Sequence, residues 1–238
     1  MTKTENPNGG STQIKGQYVT LELINQSHIA SLFKYLGFPD NKQIVDYVQG
    51  FPYVENEEEL ANHLFGSLRE HPDLTIYVIK ACEAQLGPPS LSDSNSHTSV
   101  LGICGYRLDP PANIAKLDDI IHSPLLQRTY AATEAQYLMH RQLFEGLPVA
   151  YRRVWVVSNS FNFRSRQYTE RIGYKYEGTF RKDKITRWGT TRDSDCLSML
   201  DEEWPINKRV LLKWLNSANF DTYGKQIKKL DEIRAQEL

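Results

Sequence analysis

The sequence predicts an α+β fold built on one mixed β-sheet. Segments with the two-residue alternation of strands and segments with the 3.6-residue period of helices follow one another along the chain. Their order is a strand, two helices, three strands, a helix, a strand, a helix and two strands. Hairpins and β-α-β units are therefore both present, which requires antiparallel and parallel neighbours in one sheet. The 238 residues, 40% of them hydrophobic, suffice for one large domain with a sizeable core.

The N-terminal part is predicted to contain one strand and two helices. Residues 18–23 alternate apolar and polar side chains, as a half-buried strand does. Ser27 is a suitable cap for a helix that Gly37 ends. Residues 55–71 form the second helix, whose acidic start suits the positive end of a helix dipole. Residues 1–15 are polar, lack an apolar signal core and are expected to be a disordered leader.

Three strands and a polar insertion follow. The predicted strands are residues 74–81, 99–108 and 114–122. Residues 84–98 contain a Pro-Pro pair and a serine-rich run, so they are predicted to be a flexible insertion between the first two of these strands. Pro124 closes the third strand, because proline cannot donate to a ladder. The next helix is expected over residues 129–144.

The C-terminal part combines strands, two helices and a tail. Strands are predicted over residues 153–157, 174–185 and 194–200. Asn162 is a good N-cap and Gly173 a good C-terminal stop for a helix over residues 162–172. Residues 206–215 form an amphipathic helix. The tail, residues 219–238, carries apolar side chains spaced by threes and is expected to be helical over residues 225–234.

Composition argues against several classes of protein. The net charge of −1 makes no overall case for nucleic acid, and no apolar run approaches the ~18 residues of a membrane span, so no membrane partner is expected. Three well-separated cysteines form no disulfide framework, which favours a cytoplasmic location and leaves the nucleus open. No histidine or cysteine spacing predicts a metal site. Residues 151–192 hold eleven Lys and Arg against three acidic residues, a local field suited to phosphates.

A turn that leads into a helix is the most informative local feature. Residues 127–129 begin a helix whose first amides have no partner inside it. Ala131 and Ala132 are small enough for a ligand to approach closely. A strand, a turn with free amides and a helix N-terminus together make an anion site, although an ordinary strand-to-helix connection has the same pattern.

Several motifs together resemble the GCN5-related N-acetyltransferase (GNAT) superfamily and, within it, the ribosomal-protein N-acetyltransferases of the RimJ and RimL type. In chain order they are LQRTYAATEA at 126–135, YRR at 151–153, NFRSR at 162–166 with ERIGY at 170–174, EGTFR at 177–181, and GTTRD at 189–193 with DEEWP at 201–205. Their order and spacing carry the likeness. The resemblance implies a GNAT fold over residues 16–218, with a mixed, mostly antiparallel sheet that splays at a β-bulge and helices on both faces.

The resemblance implies acetyl-CoA as the acyl donor and no metal. It places the pantetheine arm along residues 119–123. The residues expected to bind the cofactor are Ile120, Ile121, Gln127, Arg128, Thr129, Tyr130, Ala131, Ala132, Asn162, Ser165 and Arg166. The family usually has glycine where Tyr130 stands, so a side chain there is expected to narrow the turn. Arg128 could compensate with a charge-assisted contact to phosphate.

Amine acetylation needs a general base, for which Asp119 is the first candidate. A solvated carboxylate at a strand end is the alternative interpretation of Asp119. Asp183 and Glu177 are other candidates for the base. His122 has a suitable ordinary pKa, but its place beside the turn favours a structural role.

The acid that protonates the departing thiolate is harder to assign. Many superfamily members place a tyrosine seven residues after the asparagine that corresponds to Asn162. This chain has Thr169 there, and Tyr168 is one position away, about 100° round the helix. The catalytic tyrosine is therefore not assigned to Tyr168. Ser165 is the second catalytic candidate, acting on the thiolate through a water or indirectly.

The resemblance implies an N-acetyltransferase that moves an acetyl group from acetyl-CoA to a primary amine by direct attack in a ternary complex. The acceptor is a protein N-terminus, with a ribosome association, or a small amine; monomer and homodimer both remain open. The alternative is a catalytically weak acyl-CoA-binding sensor or interaction protein, which Tyr130, Thr169 and Trp155 favour. Three aromatic residues either line the acceptor side or pack in the core: Trp188, Phe180 and Tyr106.

Overall fold

The fold was analysed in a computed structural model that describes residues 6, 8–37, 39–48, 50–82, 86, 98–222 and 224–237. Within these ranges the chain forms an eight-stranded sheet in the order β1-β2-β3-β4-β5-β6-β8-β7. The strands are β1 Gln13–Lys15, β2 Val19–Leu23, β3 Leu74–Cys82, β4 Thr98–Asp109, β5 Ile114–His122, β6 Arg153–Asn159, β7 Lys175–Ile185 and β8 Thr191–Leu200. Neighbours are antiparallel except β5 and β6, which are parallel. The predicted mixed sheet is confirmed.

Helices cover both faces of the sheet. They are α1 Ile29–Leu36, α2 Lys42–Val45, α3 Glu57–Glu70, α4 Tyr130–Arg141, α5 Phe163–Ile172, α6 Trp204–Leu215 and α7 Leu230–Ala235. A core that contains Leu32, Val45 and Leu60 lies under α1–α3. Alternate sheet residues face the other core, which α4, α6 and α7 share. In the described part of the chain, no helix combines the length and the apolar character needed to cross a bilayer.

Local capping explains why the two helices beside the sheet opening begin where they do. The Asn162 side chain caps α5 by accepting a hydrogen bond from the Ser165 N–H at 3.2 Å. Thr129 caps α4 in the same way, since its Oγ1 accepts from the Ala132 N–H at 3.1 Å. Gly173 ends α5 with a φ of 122°, a conformation that favours glycine. Both helix starts agree with the sequence prediction.

The structure adds a strand near the N-terminus and contains the helix predicted in the tail, which begins later than predicted, at Leu230. β1 lies inside the segment that was expected to be a leader, and its Ile14 is buried in the core. A strand of three residues is too short to show a reliable alternation, which is why the sequence did not reveal it. The tail contributes α7, whose Leu230 and Ile233 are buried in the core shared with α4 and α6. Most of the predicted insertion, residues 84, 85 and 87–97, lies outside the described residues.

Strands β5 and β6 diverge, and this opens the sheet. They pair at three positions, the last of which joins Lys116 to Trp155. Beyond Lys116, β5 contains a bulge. Ile103 pairs with Ile121 but Gly105 pairs with Asp118, so two β5 residues oppose one β4 residue. The bulge includes Asp119, whose φ of 46° is in the left-handed region. The bulge bends β5 away from β6 and leaves a gap between them.

Candidate active site

A cleft of about 1050 Å³ occupies the gap between the diverging strands. Its walls are the C-terminal part of β5 on one side and the end of β6 with the first turns of α5 on the other. The turn before α4 and the α2 segment contribute the two ends. Because α2 and α4 cover opposite faces of the sheet, the cleft is lined by elements from both faces.

The turn before α4 offers backbone donors to an anion. Arg128, at a φ of 64°, takes the left-handed conformation in this turn. Tyr130 and Ala131 are the first two residues of α4, so their N–H groups have no acceptor inside the helix. The side-chain Nε2 of Gln127 donates to the His122 carbonyl at 2.9 Å and links the turn to the end of β5. The helix dipole adds positive charge at the same place.

Tyr130 leaves this turn open. Its ring packs against Tyr18, with centroids 4.4 Å apart, and against Phe220 at 5.5 Å. These contacts hold the side chain on the far side of α4, and it does not line the cleft. The expected narrowing of the turn is therefore not found, since the residue with the glycine-like conformation is Arg128.

The start of α5 forms the facing wall. Asn162 and Ser165 both line the cleft, as predicted from the sequence. Arg166 does not line it: its guanidinium contacts Glu170 at 3.0 Å and Asp195 at 3.3 Å, and lies 4.0 Å from the centre of the Tyr176 ring. A cofactor contact of Arg166 therefore finds no support in its position.

Other cations take the place expected for Arg166. Arg128, Arg164 and Arg171 line the cleft on the side of α4 and α5. Arg164 is two residues from the Asn162 cap, and nothing in the local sequence separates it from Arg166. Arg164 and Arg166 point in different directions round the first turn of α5, and Arg164 is the one that faces the cleft.

Asp119 is a largely buried carboxyl group in the β5 wall of the cleft. It lines the cleft at the bulge. Burial raises the pKa of Asp119 to about 6, and the neighbouring Asp118 adds to this, while Arg107 and Lys116 oppose it. Asp118 itself is bound by Arg107 at 2.9 Å and by Lys116 at 3.2 Å. Asp119 is thus ionised at neutral pH and a stronger base than an ordinary aspartate.

The other candidates for the base are less suited. Glu177 receives hydrogen bonds from Arg153 at 2.6 Å and Ser198 at 2.7 Å, and the Arg153 bond is the main reason that its pKa falls to about 2. Asp183 is exposed and does not line the cleft. Burial lowers the pKa of His122 to about 4, so its imidazole is neutral and weakly basic.

The hydroxyl groups near the start of α5 differ in availability. Tyr168 lines the cleft, but its hydroxyl donates to the Ala132 carbonyl at 3.0 Å and burial raises its pKa well above the ordinary value. The Thr169 hydroxyl donates to the Ser165 carbonyl at 2.9 Å. Ser165 lines the cleft with a partly exposed side chain. Of these three hydroxyl groups, Ser165 is the one not engaged with a backbone carbonyl.

The end of the cleft on the α2 face was only partly anticipated. Tyr106 is fully buried and packs against Tyr77, so of its two interpretations the core position holds. Trp188 and Phe180 are exposed and do not line the cleft. The cleft is lined there by residues that the sequence did not indicate: Gln43, Ile44, Tyr47 and Val48. A helix of four residues has too little periodicity to be predicted.

The tip of the β7–β8 hairpin holds the α2 segment in place. The Arg187 Nη2 donates to the carbonyls of Val45, Val48 and Phe51 at 3.0, 3.0 and 2.7 Å. The guanidinium also lies 4.3 Å from the centre of the Tyr53 ring. These contacts link two parts of the chain that border the same cleft.

The cleft is chemically suited to acetyl-CoA. Three buried side-chain atoms of cleft-lining residues have no hydrogen-bond partner among the described residues: His122 Nε2, Gln136 Nε2 and Ser158 Oγ. Unpaired buried polar atoms are costly, so they indicate a polar ligand. The cations and the α4 N-terminus suit its phosphates. In the described ranges, no group of three potential His, Cys, Asp or Glu metal ligands is found.

Comparison with known proteins relates this architecture to solved structures. No protein-family model matches the sequence, and no curated protein sequence matches it. A structure described as a GCN5-related N-acetyltransferase from Brucella melitensis is 29% identical, with a TM-score of 0.81, and the alignment covers 95% of this chain and 96% of that one. A probable acetyltransferase of the GNAT family from Chromobacterium violaceum is 26% identical, with a TM-score of 0.68 and coverages of 86% and 95%.

A more distant structure shares the fold. The ribosomal L7/L12 alpha-N-protein acetyltransferase RimL, solved in complex with coenzyme A, is 17% identical, with a TM-score of 0.60. The alignment covers 79% of this chain and 97% of RimL. These alignments show that the overall fold of this chain is shared with solved acetyltransferase structures.

Proposed function

We propose that this chain, which belongs to the GCN5-related N-acetyltransferase superfamily, acetylates a primary amine by direct attack on acetyl-CoA in a ternary complex. The observation that carries the proposal is the cleft at the splayed strands. It has a helix N-terminus with cations on one face of the sheet, and Asp119 lines its β5 wall. Such a cleft can bind two substrates from opposite faces.

Acetyl-CoA, when bound, would supply the activated acetyl thioester. The side chains of Arg128 and Arg164, which line the cleft beside the N-terminus of α4, are proposed to hold its phosphates. In the described structure, pairing between β5 and β6 ends at Lys116, so backbone groups of Ile120 and Ile121 remain on the β6-facing side for the pantetheine amides. Asn162 sets the start of α5 beside this arm.

Asp119 is proposed as the general base. The acceptor amine loses a proton to Asp119 while its nitrogen bonds to the acetyl carbon and the C–S bond breaks. The departing thiolate takes a proton from a water that Ser165 positions, or from the Ser165 hydroxyl, which then regains a proton from solvent; Ser165 lines the cleft. The buried walls strengthen the electrostatic interactions of both groups.

The acceptor is proposed to be a protein N-terminus or a small amine. RimL, which shares the fold at 17% identity, is described as acting on the N-terminus of a ribosomal protein. This relation makes ribosomal-protein N-termini, and an association with the ribosome, worth testing beside small amines. A catalytically weak acyl-CoA-binding protein is the outcome that would replace the transferase proposal.

The test combines thiol release with coenzyme A binding. Asn162→Ala removes the α5 cap, which costs about 1 kcal/mol, and we expect coenzyme A affinity to fall about fivefold. Asn56→Ala is the matched control, because Asn56 caps α3 through the Glu59 N–H at 2.9 Å and does not line the cleft. Equal affinities of both variants and the wild type would contradict the cofactor site. Tight coenzyme A binding without thiol release for any amine would favour the binding protein.

A further inference from the structure

A buried arginine that forms no ion pair with a described residue lies in the cleft wall. Arg192, on β8, is 5% exposed and lines the cleft. Its Nε and Nη2 both donate to one neutral acceptor, the Ser194 hydroxyl, at 3.2 and 3.0 Å. Within the described ranges it forms no ion pair; burial lowers its pKa, and the more distant Asp183 opposes this only in part. A buried guanidinium without a counter-ion is unfavourable unless a ligand supplies one.

A second cation stands directly opposite Arg192 in the sheet. Lys184 on β7 pairs in register with Arg192, and its exposed side chain also lines the cleft. Like charges at directly opposed positions of two antiparallel strands destabilise the pair. An anion bound by both side chains would remove this repulsion and would also compensate the burial of Arg192.

The alternation of side chains along β8 places Arg192, and Lys184 opposite it, on the α2 face of the sheet. Leu197 and Met199 of β8 belong to the core that lies under α4 and α6. Arg192 is an odd number of residues from both, so it faces the opposite side. That side carries α2, whose segment lines the cleft with Gln43 and Tyr47.

The proposed phosphate donors of the cofactor site lie elsewhere. The N-termini of α4 and α5, with Arg128 and Arg164, are on the face that the α4 core covers. Arg192 and Lys184 are therefore placed for a molecule that enters from the α2 face, which is the side left for the acceptor.

We propose that Arg192 and Lys184 form an anion subsite for the acceptor, so that the preferred acceptor is a primary amine that also carries a carboxylate or a phosphate. The subsite would bind the anionic group while the amine faces Asp119. This inference rests on the proposed transferase function, and it narrows the acceptor from any amine to an anionic one. A small amino acid, an amino phosphate and a peptide with an acidic first residue all share this chemistry.

Matched pairs of amines test the subsite. The pairs are 4-aminobutyrate and 4-aminobutanamide, phosphoethanolamine and ethanolamine, and the amidated peptides Asp-Ala-Ala and Asn-Ala-Ala. The measurement is kcat/KM from thiol release at saturating acetyl-CoA and constant ionic strength. We expect the wild type to prefer the anionic member of at least one pair about tenfold, the size of one charge-assisted hydrogen bond. The preferred pair identifies whether the anion is a small carboxylate, a phosphate or an acidic N-terminus.

Variants then assign the preference to the two cations. Lys184→Gln should lower kcat/KM for the anionic member about fivefold and leave the neutral member unchanged, and Arg192→Gln should lower it further. Arg181→Gln, on an exposed residue of β7 that does not line the cleft, is the control and should change neither. If Arg192→Gln fails to fold, Lys184→Gln carries the test, because its side chain is exposed.

A binding measurement separates this inference from the transferase proposal. Inorganic phosphate added to coenzyme A-saturated protein should raise the Tm of the wild type and raise that of Lys184→Gln less. A phosphate effect that Lys184→Gln reduces, without acetylation of any amine, would keep the anion site and contradict the transferase. Equal use of both members of all pairs, or a Lys184→Gln defect in the KM for acetyl-CoA, would overturn the acceptor subsite while leaving the transferase intact.

Discussion

Substitution of Arg187 tests whether the β7–β8 hairpin holds the α2 wall of the cleft. Arg187→Met keeps a long apolar stem and removes the guanidinium that contacts the carbonyls of Val45, Val48 and Phe51. One Nη2 carries two hydrogens, so at most two of the three bonds are fully formed at once. The helix concerned, α2, has four residues and cannot be stable without tertiary contacts.

The free energy that Arg187 contributes to the stability of the α2 segment follows from these contacts. Two hydrogen bonds from a charged donor contribute about 1.5 kcal/mol each, and the interaction with the Tyr53 ring adds about 0.5 kcal/mol, which gives an upper value of about 3.5 kcal/mol. Arg187 is partly exposed, and water can bind the freed carbonyls, so we expect about 2 kcal/mol. Loss of about 2 kcal/mol corresponds to local opening about 30 times more often.

Hydrogen exchange measures this opening directly. In Arg187→Met, the Val48 N–H, which donates to the Val45 carbonyl at 3.0 Å, should exchange about 30 times faster. The KM for the acceptor should rise while the KM for acetyl-CoA stays the same, because α2 lines the end of the cleft that we propose for the acceptor. Arg181→Met, on an exposed residue of the same hairpin, is the control. Unchanged hydrogen exchange over residues 42–51, or the same acceleration in Arg181→Met, would show that Arg187 does not hold the α2 segment in place.

Two further substitutions test the catalytic base and the turn before α4. The protonated form of Asp119 cannot accept a proton, so kcat/KM of the wild type should fall as the pH drops through about 6. Asp119→Asn should remove this limb and lower kcat/KM at pH 7 about 100-fold; an unchanged pH profile would exclude Asp119 as the base. Tyr130→Ala removes the contacts with Tyr18 and Phe220 and should lower the free energy of unfolding by about 1–2 kcal/mol. Calorimetry should give the same coenzyme A affinity as the wild type, and a tighter affinity would mean that the ring obstructs the turn.

The Arg192 and Lys184 pair changes how the basic segment of the sequence is understood. An excess of cations over residues 151–192 suggested a field for phosphates in general. In the folded chain several of these cations interact with other protein groups. Arg153 pairs with Glu177, Arg166 pairs with Glu170 and Asp195, and Arg187 binds backbone carbonyls. Charge counted along the sequence therefore overstates the charge available to a ligand.

Features that depend on residues close together in the chain could be predicted from the sequence. Thr129 and Asn162 cap helices by bonding to N–H groups three residues later, so the cap and its partner are read from one short segment. The order of elements and the motifs were likewise enough to predict the mixed sheet and the superfamily. Asp119 and the turn before α4 were predicted to lie at the splayed strands, and both line the cleft.

The orientations and contact partners of individual side chains became known only from the folded structure. Arg166 contacts Asp195, whereas Arg164 lines the cleft. The Tyr130 ring packs against Tyr18 and does not line the cleft. The burial of Arg192 with the Ser194 hydroxyl as its hydrogen-bond acceptor is visible only once the chain is folded. The physical reason is range: caps and periodicities act within a helical turn, whereas burial and ion pairing depend on residues brought together from distant parts of the chain.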